Sequence, residues 1–256
     1  MKPISARSRI VLSVALIACA LFGTAESAGA YVTPEQASAA VERGAAWFAR
    51  NQDDDGALAG DWALTALAAA QVHAADVRVA PTAPSAQDYY ADLWRASGPG
   101  GVTTDRAREI LAGAAGGIEP ARVGLGRNLV AELLAEFDGT QLGSEALLND
   151  DILGLLALDH AGVPRALVER IAEHIRASQL ADGGWGWSVS QATADTDMTG
   201  AAIAALCAAG ATADDPAIEA ALGLLRERQD ESGGFAAPPW LPVNTDSTAW
   251  VASGLL

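Results

Sequence analysis

Residues 195–210 open with Asp195-Thr196-Asp197-Met198-Thr199-Gly200 and continue Ala-Ala-Ile-Ala-Ala-Leu-Cys-Ala-Ala-Gly. An acidic start leads into a run of small apolar residues that closes on glycine. No apolar/polar alternation runs through it, so the stretch predicts a helix and not a strand. The residues around that helix are so uniformly apolar that the helix is expected to be buried on almost every side. The same pattern recurs along the chain. It is present at Asp61 in DWALTALAAA, Asp105 in TTDRAREILAGAAGG, Asp151 in NDDILGLLALDHAG and Asp246 in NTDSTAWVASGLL. The steps between these aspartates are 44, 46, 46 and 49 residues.

A second, amphipathic helix is expected before each acidic start. The first runs from Thr33-Pro34-Glu35-Gln36 to about Gln52, with Thr33 as cap, Pro34 at the first helical position and Gln36 closing a capping box. The others span about 85–94, 127–137, 165–179 and 216–229, the last with Asp215 before Pro216 as a start signal. Glycine-rich turns (DDDG, SGPGG, LADGG, DESGG) end the long helices. The expected class is all-α: about five helical hairpins, each with one charged outer helix and one small-residue inner helix, stacked as a solenoid or a ring.

Composition narrows the function classes. The chain has 256 residues and a net charge of −16, half of it apolar but only 5% aromatic. That much apolar content argues against disorder, and so acidic a chain repels phosphate, which argues against nucleic acid as partner. Lys2, Arg7 and Arg9, the apolar stretch 10–22 and Ala28-Gly29-Ala30 read as a secretory signal peptide over residues 1–30. The mature domain is then 31–256, secreted and without a spanning helix. Leu16-Ile17-Ala18-Cys19 offers the alternative of a lipid anchor through Cys19. With Cys19 removed, Cys207 has no disulfide partner and is expected to be a small buried hydrophobe.

The motif Arg43-Gly44-x-x-Trp47-Phe48-x-x-x-Gln52-x-x-x-Gly56 resembles the Gln-Trp repeat of terpenoid cyclases. Ile175-x-x-x-Gln179-x-x-x-Gly183-Gly184-Trp185 and Leu225-x-x-x-Gln229-x-x-x-Gly233-Gly234-Phe235 look like two further copies, followed by Thr196-Asp197 and Thr245-Asp246. The pattern resembles the terpenoid cyclase / protein prenyltransferase superfamily with its squalene-cyclase-type repeats. The resemblance implies an α/α-toroid of about five hairpins. Because the chain ends at Leu256 in the fifth inner helix, the ring is expected to be open or truncated there.

In such stacked hairpins the aspartates gather at one rim. The plain expectation is that each caps its helix. A catalytic role, by the same resemblance, falls on Asp195 and Asp197. Asp195-Thr196-Asp197-Met198 is similar to the Asp-x-Asp-Asp acid motif of the cyclases, with Asp197 at the proton donor and Met198 in place of the last Asp. The inner helices offer few aromatics to stabilise a carbocation. A ligand-binding role falls on Trp187, Trp240 and Trp250 with Asp246 and Asp151; Trp187 and Trp240, on long connections, are expected to flank a cavity mouth and touch an apolar or planar ligand. His73, His160 and His174 are read as surface or helix-end residues, and no metal or cofactor is expected. The expected function is an exported, non-catalytic toroid that binds a small apolar ligand or a partner protein. The alternatives are a terpenoid cyclase or prenyltransferase-like enzyme with Asp197 as general acid, and a structural cell-surface module.

Overall fold

The computed structural model of the chain describes residues 33–98 and 101–256. The expected signal peptide and Cys19 lie outside the described residues. The described chain is all-α: ten α-helices and two short 3-10 turns, with no strand among the described residues. The helices are α1 Pro34–Arg50, α2 Trp62–Ala69, α3 Ala86–Ala96, α4 Thr103–Ala115 and α5 Leu129–Leu134. They continue as α6 Leu148–His160, α7 Arg165–Ala177, α8 Thr196–Ala208, α9 Pro216–Arg228 and α10 Thr245–Gly254. The odd-numbered helices are the expected amphipathic ones and the even-numbered ones the small-residue runs.

The chain forms two compact units, residues 33–98 with 108–129, and residues 101–107 with 130–256. In the first unit Leu64, Leu67, Tyr90, Trp94 and Ile118 are buried. Arg127 donates to the carbonyls of Trp94 and Ser97. The turn before α5 holds Gly124, Leu125 and Gly126 at positive φ, and the helix begins after it at Leu129 and ends at Leu134, shorter than expected at both ends. In the second unit α6 packs on α7 and α8, and α8 on α10. Flanked on both sides, α6 and α8 are buried almost all round, whereas α2 and α10 keep an exposed face, contrary to the expectation for inner helices. Cys207, expected inside, is exposed near the end of α8.

Several helix starts follow local chemistry. Thr33 Oγ1 accepts the Gln36 N–H (3.2 Å) and Gln36 Oε1 accepts the Thr33 N–H (2.8 Å), a complete capping box. Ser85 and Asp88 build a second one at α3. Asp215 Oδ1 caps α9 through the Ala217 N–H (3.0 Å). The repeated aspartates behave differently from the caps expected of them. Asp61 stands at the N-cap of α2 but makes no cap hydrogen bond. Its backbone is already helical (φ −69°, ψ −26°), outside the extended range a capping residue adopts. Its carboxylate accepts from Arg108 Nε instead (2.9 Å). Asp197 lies inside the first turn of α8 and not at its N-cap, and Asp195, which holds that position, makes no cap hydrogen bond.

The repeat is held by glutamine. Gln179 Nε2 donates to the Gly183 carbonyl four residues on and to the Ala217 carbonyl at the start of α9, both at 2.8 Å. In the first unit Gln52 Nε2 donates in the same way to Gly56 (2.8 Å) and Val77 (3.1 Å). Gln229 Nε2 donates to Gly233 (3.0 Å). In all three turns the glycine has φ between +83° and +99°, a conformation that costs a side-chain-bearing residue about 1 kcal/mol or more.

α8 and α10 approach backbone to backbone. A Cβ on Gly200 would stand 2.5 Å from the Trp250 carbonyl, and one on Gly254 would strike the Gly200 carbonyl. Gly223, within α9, has open space around its Cα. Gly200→Ala is therefore expected to cost about 1–3 kcal/mol by forcing the helices apart, while Gly223→Ala stabilises by up to about 1 kcal/mol. Thermal unfolding of the two variants beside the parent checks the contrast, and a stabilised Gly200→Ala contradicts the close approach.

Candidate functional site

The site lies in the second unit, between the connections α7–α8 and α9–α10, which share one construction. Leu180 N–H donates to the Gly184 carbonyl and Asp230 N–H to that of Gly234. Trp185 then pairs antiparallel with Asp195, and Phe235 with Asn244. The Trp185 N–H donates to Thr199 Oγ1 (3.1 Å), and the Phe235 N–H donates to Thr248 Oγ1 (3.0 Å). Each hydroxyl donates in turn to the carbonyl four residues back (2.7 Å). These bonds turn Trp185 and Phe235 into the core. The Trp185 indole N–H is satisfied there by the Ile175 carbonyl (2.7 Å).

Beyond the buried rings the connections present their other tryptophans to solvent: Trp187 is 52% exposed and Trp240 73%. Trp187 is nevertheless anchored. Its N–H donates to Gln191 Oε1 (3.1 Å), and its carbonyl accepts from the Asn149 N–H (3.2 Å). Gln191 Nε2 donates to Asp195 Oδ2 (2.7 Å), so one glutamine holds both the tryptophan backbone and an acid. The Thr196 hydroxyl donates to the Ala236 carbonyl (2.9 Å), tying the start of α8 to the second connection.

Trp187, Trp240, Asp195, Asp197 and Met198 line one cleft of about 480 Å³. Asp197 sits in the first turn of α8 and is half-buried. Burial pushes its carboxyl above the usual carboxylate range. The Met198 N–H bond (2.9 Å) works the other way, and the negative charges of Asp195 and Asp246 add to the rise. Among the described residues no Arg or His forms an ion pair with Asp195, Asp197 or Asp246. The other residues expected at the site are elsewhere. Asp246 is exposed in the first turn of α10, and Trp250, half-buried, follows one turn later. Neither lines the cleft, and nor does Asp151.

Asp151 belongs to a feature the sequence did not reveal. It is 1% exposed, and its Oδ1 accepts the Leu142 N–H (2.8 Å). Its Oδ2 faces His174 Nε2 at 3.6 Å, beyond hydrogen-bond length, and both atoms are buried without a hydrogen-bond partner. Burial pushes the Asp151 carboxyl up to about 7, with Asp150 and Asp138 adding to the rise and the Leu142 N–H opposing it. Burial lowers the His174 pKa, and the nearby Asp138 charge partly offsets that. His174 was expected as a surface or helix-end residue; it stands in the last turn of α7, with its side chain turned inward. The available signal was its place three residues after Ile171, at the border of the face of α7 that buries Val168, Ile171, Ala172 and Ile175.

A second cleft, of about 370 Å³ in the first unit, is lined by Arg78, Asp88, Asp92 and Arg95. Its charges already pair with one another, Arg78 with Asp88 at 3.6 Å and Arg95 with Asp92. It offers less to a ligand than the tryptophan cleft. Among the described residues no group of three or more His, Cys, Asp or Glu stands together as a metal site, and no helix is long and apolar enough to cross a membrane. No protein-family model matches the chain, and no curated protein matches it.

The Asp151 carboxyl binds its proton more tightly folded than unfolded, so between about pH 4 and 7 it makes stability fall as pH rises. The lowered His174 pKa acts in the opposite sense just below its ordinary value, and the larger Asp151 shift prevails. Asp151→Asn keeps an acceptor for the Leu142 N–H and removes the titration. Its stability relative to the parent is expected to improve by on the order of 2 kcal/mol between pH 4 and pH 7, as read by urea unfolding at both pH values. A pH-independent difference contradicts the assignment.

Proposed function

We propose that the chain is a ligand-binding α/α-toroid of the terpenoid cyclase / prenyltransferase type, exported by its first 30 residues, that takes a small ligand with apolar or planar surface. The observation that carries this is the pair of exposed indoles, Trp187 and Trp240, on the same cleft. Large aromatic rings left in water at a concave site present contact area with little entropy left to lose. The family side of the reading is supported by the repeated Gln-closed turns at Gln52, Gln179 and Gln229. The export side is supported by the basic start, apolar stretch and Ala-x-Ala end of residues 1–30.

Binding rather than catalysis is favoured by what surrounds Asp197. An acid strong enough to protonate an alkene needs a tuned carboxyl pair, yet Asp195 is tied to Gln191 and the position after Asp197 is Met198. One observation favours the second reading, an Asp197-dependent enzyme: burial holds the Asp197 carboxyl above its ordinary range, toward the protonated form that a general acid requires.

Trp187→Ala and Trp240→Ala are each expected to weaken binding of a neutral apolar dye such as Nile red by about fivefold or more, measured by fluorescence titration of the full chain. Unchanged dye affinity in both variants rejects the binding reading. Incubation with squalene and with geranylgeranyl diphosphate is expected to leave both substrates unchanged. A cyclised or transferred product that disappears in Asp197→Asn, with the unfolding temperature unaltered, would establish the enzyme instead.

A further inference from the structure

The tryptophan cleft carries negative charge and no positive charge of its own. Asp195 and Asp197 line it, no basic residue does, and Asp246 adds its field to Asp197. The chain has a net charge of −16 and its only lysine is Lys2, so counter-charge from its own side chains is scarce. Elsewhere in the second unit, two acids near helix ends are matched by arginine. Asp182 pairs with Arg228 at 2.8 Å and Asp215 with Arg176 at 3.0 Å. The cleft departs from that pattern at the place where two indole rings stand exposed.

We infer that the ligand of this cleft is a small organic cation, an alkylated ammonium with an apolar body, held between the indoles of Trp187 and Trp240 and the carboxylates of Asp195 and Asp197. The inference rests on the binding reading above and narrows it. An alkylated ammonium is weakly hydrated and apolar at its rim, so it gains from an indole face while a compact ammonium stays in water. The carboxylates that line the same cleft supply the long-range attraction. Burial is the main cause of the raised Asp197 pKa; the charges of Asp195 and Asp246 add to it, and a bound cation opposes that smaller contribution. A zwitterion with an adjacent anion, such as a phosphocholine headgroup, meets those same acids and is repelled. The occupant is therefore a free cation and not a lipid headgroup.

The test is calorimetric titration of the full chain with choline phenyl ether, with its uncharged carbon isostere 3,3-dimethylbutyl phenyl ether, and with phosphocholine. Choline phenyl ether is expected to bind at least about tenfold tighter than the isostere, with the margin shrinking in 0.5 M salt. Phosphocholine is expected to bind as weakly as the isostere or more weakly. Met198→Lys places an ammonium in the cleft and is expected to weaken choline phenyl ether by tenfold or more, while Met198→Gln, of similar length, retains it. Far-UV circular dichroism confirms that both variants fold.

Equal affinity for the two ethers, lost together in Trp187→Ala, overturns the cationic ligand and leaves the apolar cleft standing. Binding of neither ether overturns both. A preference for the cation that survives Met198→Lys places it outside this cleft and overturns the inference, as does phosphocholine binding as tightly as choline phenyl ether.

Discussion

The primary amide of Gln179 has two hydrogens, and both are used on backbone carbonyls: Gly183 in its own turn and Ala217 at the start of the next amphipathic helix. Each such bond contributes about 1 kcal/mol net, but an orphaned carbonyl at either end costs more than that. The larger effect is geometric. Closing the turn fixes a positive-φ glycine, and the chain beyond it is delivered to Trp185, whose ring enters the core and whose backbone pairs with Asp195. With Trp185 placed inward, Gln191 and Asn149 hold Trp187 by its backbone while its ring stays in water. The cleft is thus a consequence of a structural repeat element, extended by a longer connection.

Small residues are the second constraint. α8 has glycine at position 200 where α10 crosses it, and alanine or threonine along much of the rest. Close backbone approach is bought with conformational freedom in the unfolded chain, and it leaves little room for side-chain chemistry inside. The polar groups are displaced to the helix starts, where an aspartate meets whichever neighbours the connections bring. The outcome differs at each one. Asp61 is neutralised by Arg108, Asp151 is buried against His174, and Asp197 opens onto the cleft. One sequence element therefore yields an ion pair, a buried titrating group and a cleft-facing acid.

Function follows the same division. Helices supply a rigid frame, and two long connections carry the most exposed tryptophans, Trp187 and Trp240, as loops on rigid frames commonly do. Unmatched acids beside exposed indoles are costly in an empty cleft, since like charges repel and apolar rings stay wet. A binding partner of complementary charge and apolar surface relieves both costs at once.

Much of this was legible in the residues themselves. The capping box at Thr33, the Asp215-Pro216 start, the glycine-ended helices and the alternation of amphipathic and small-residue runs are set by interactions spanning about five residues. Such interactions leave their signature in local order, so the sequence by itself determined the helical class and the positions of most helices. It did not determine the surroundings of its acids and aromatics. Cys207 lies outside, α2 and α10 keep a wet face, His174 meets Asp151, and Asp246 and Trp250 stand off the cleft that Trp187 and Trp240 share. Those facts depend on partners tens of residues away. Burial and electrostatic environment are properties of the packed neighbourhood, and only the tertiary structure assembles it.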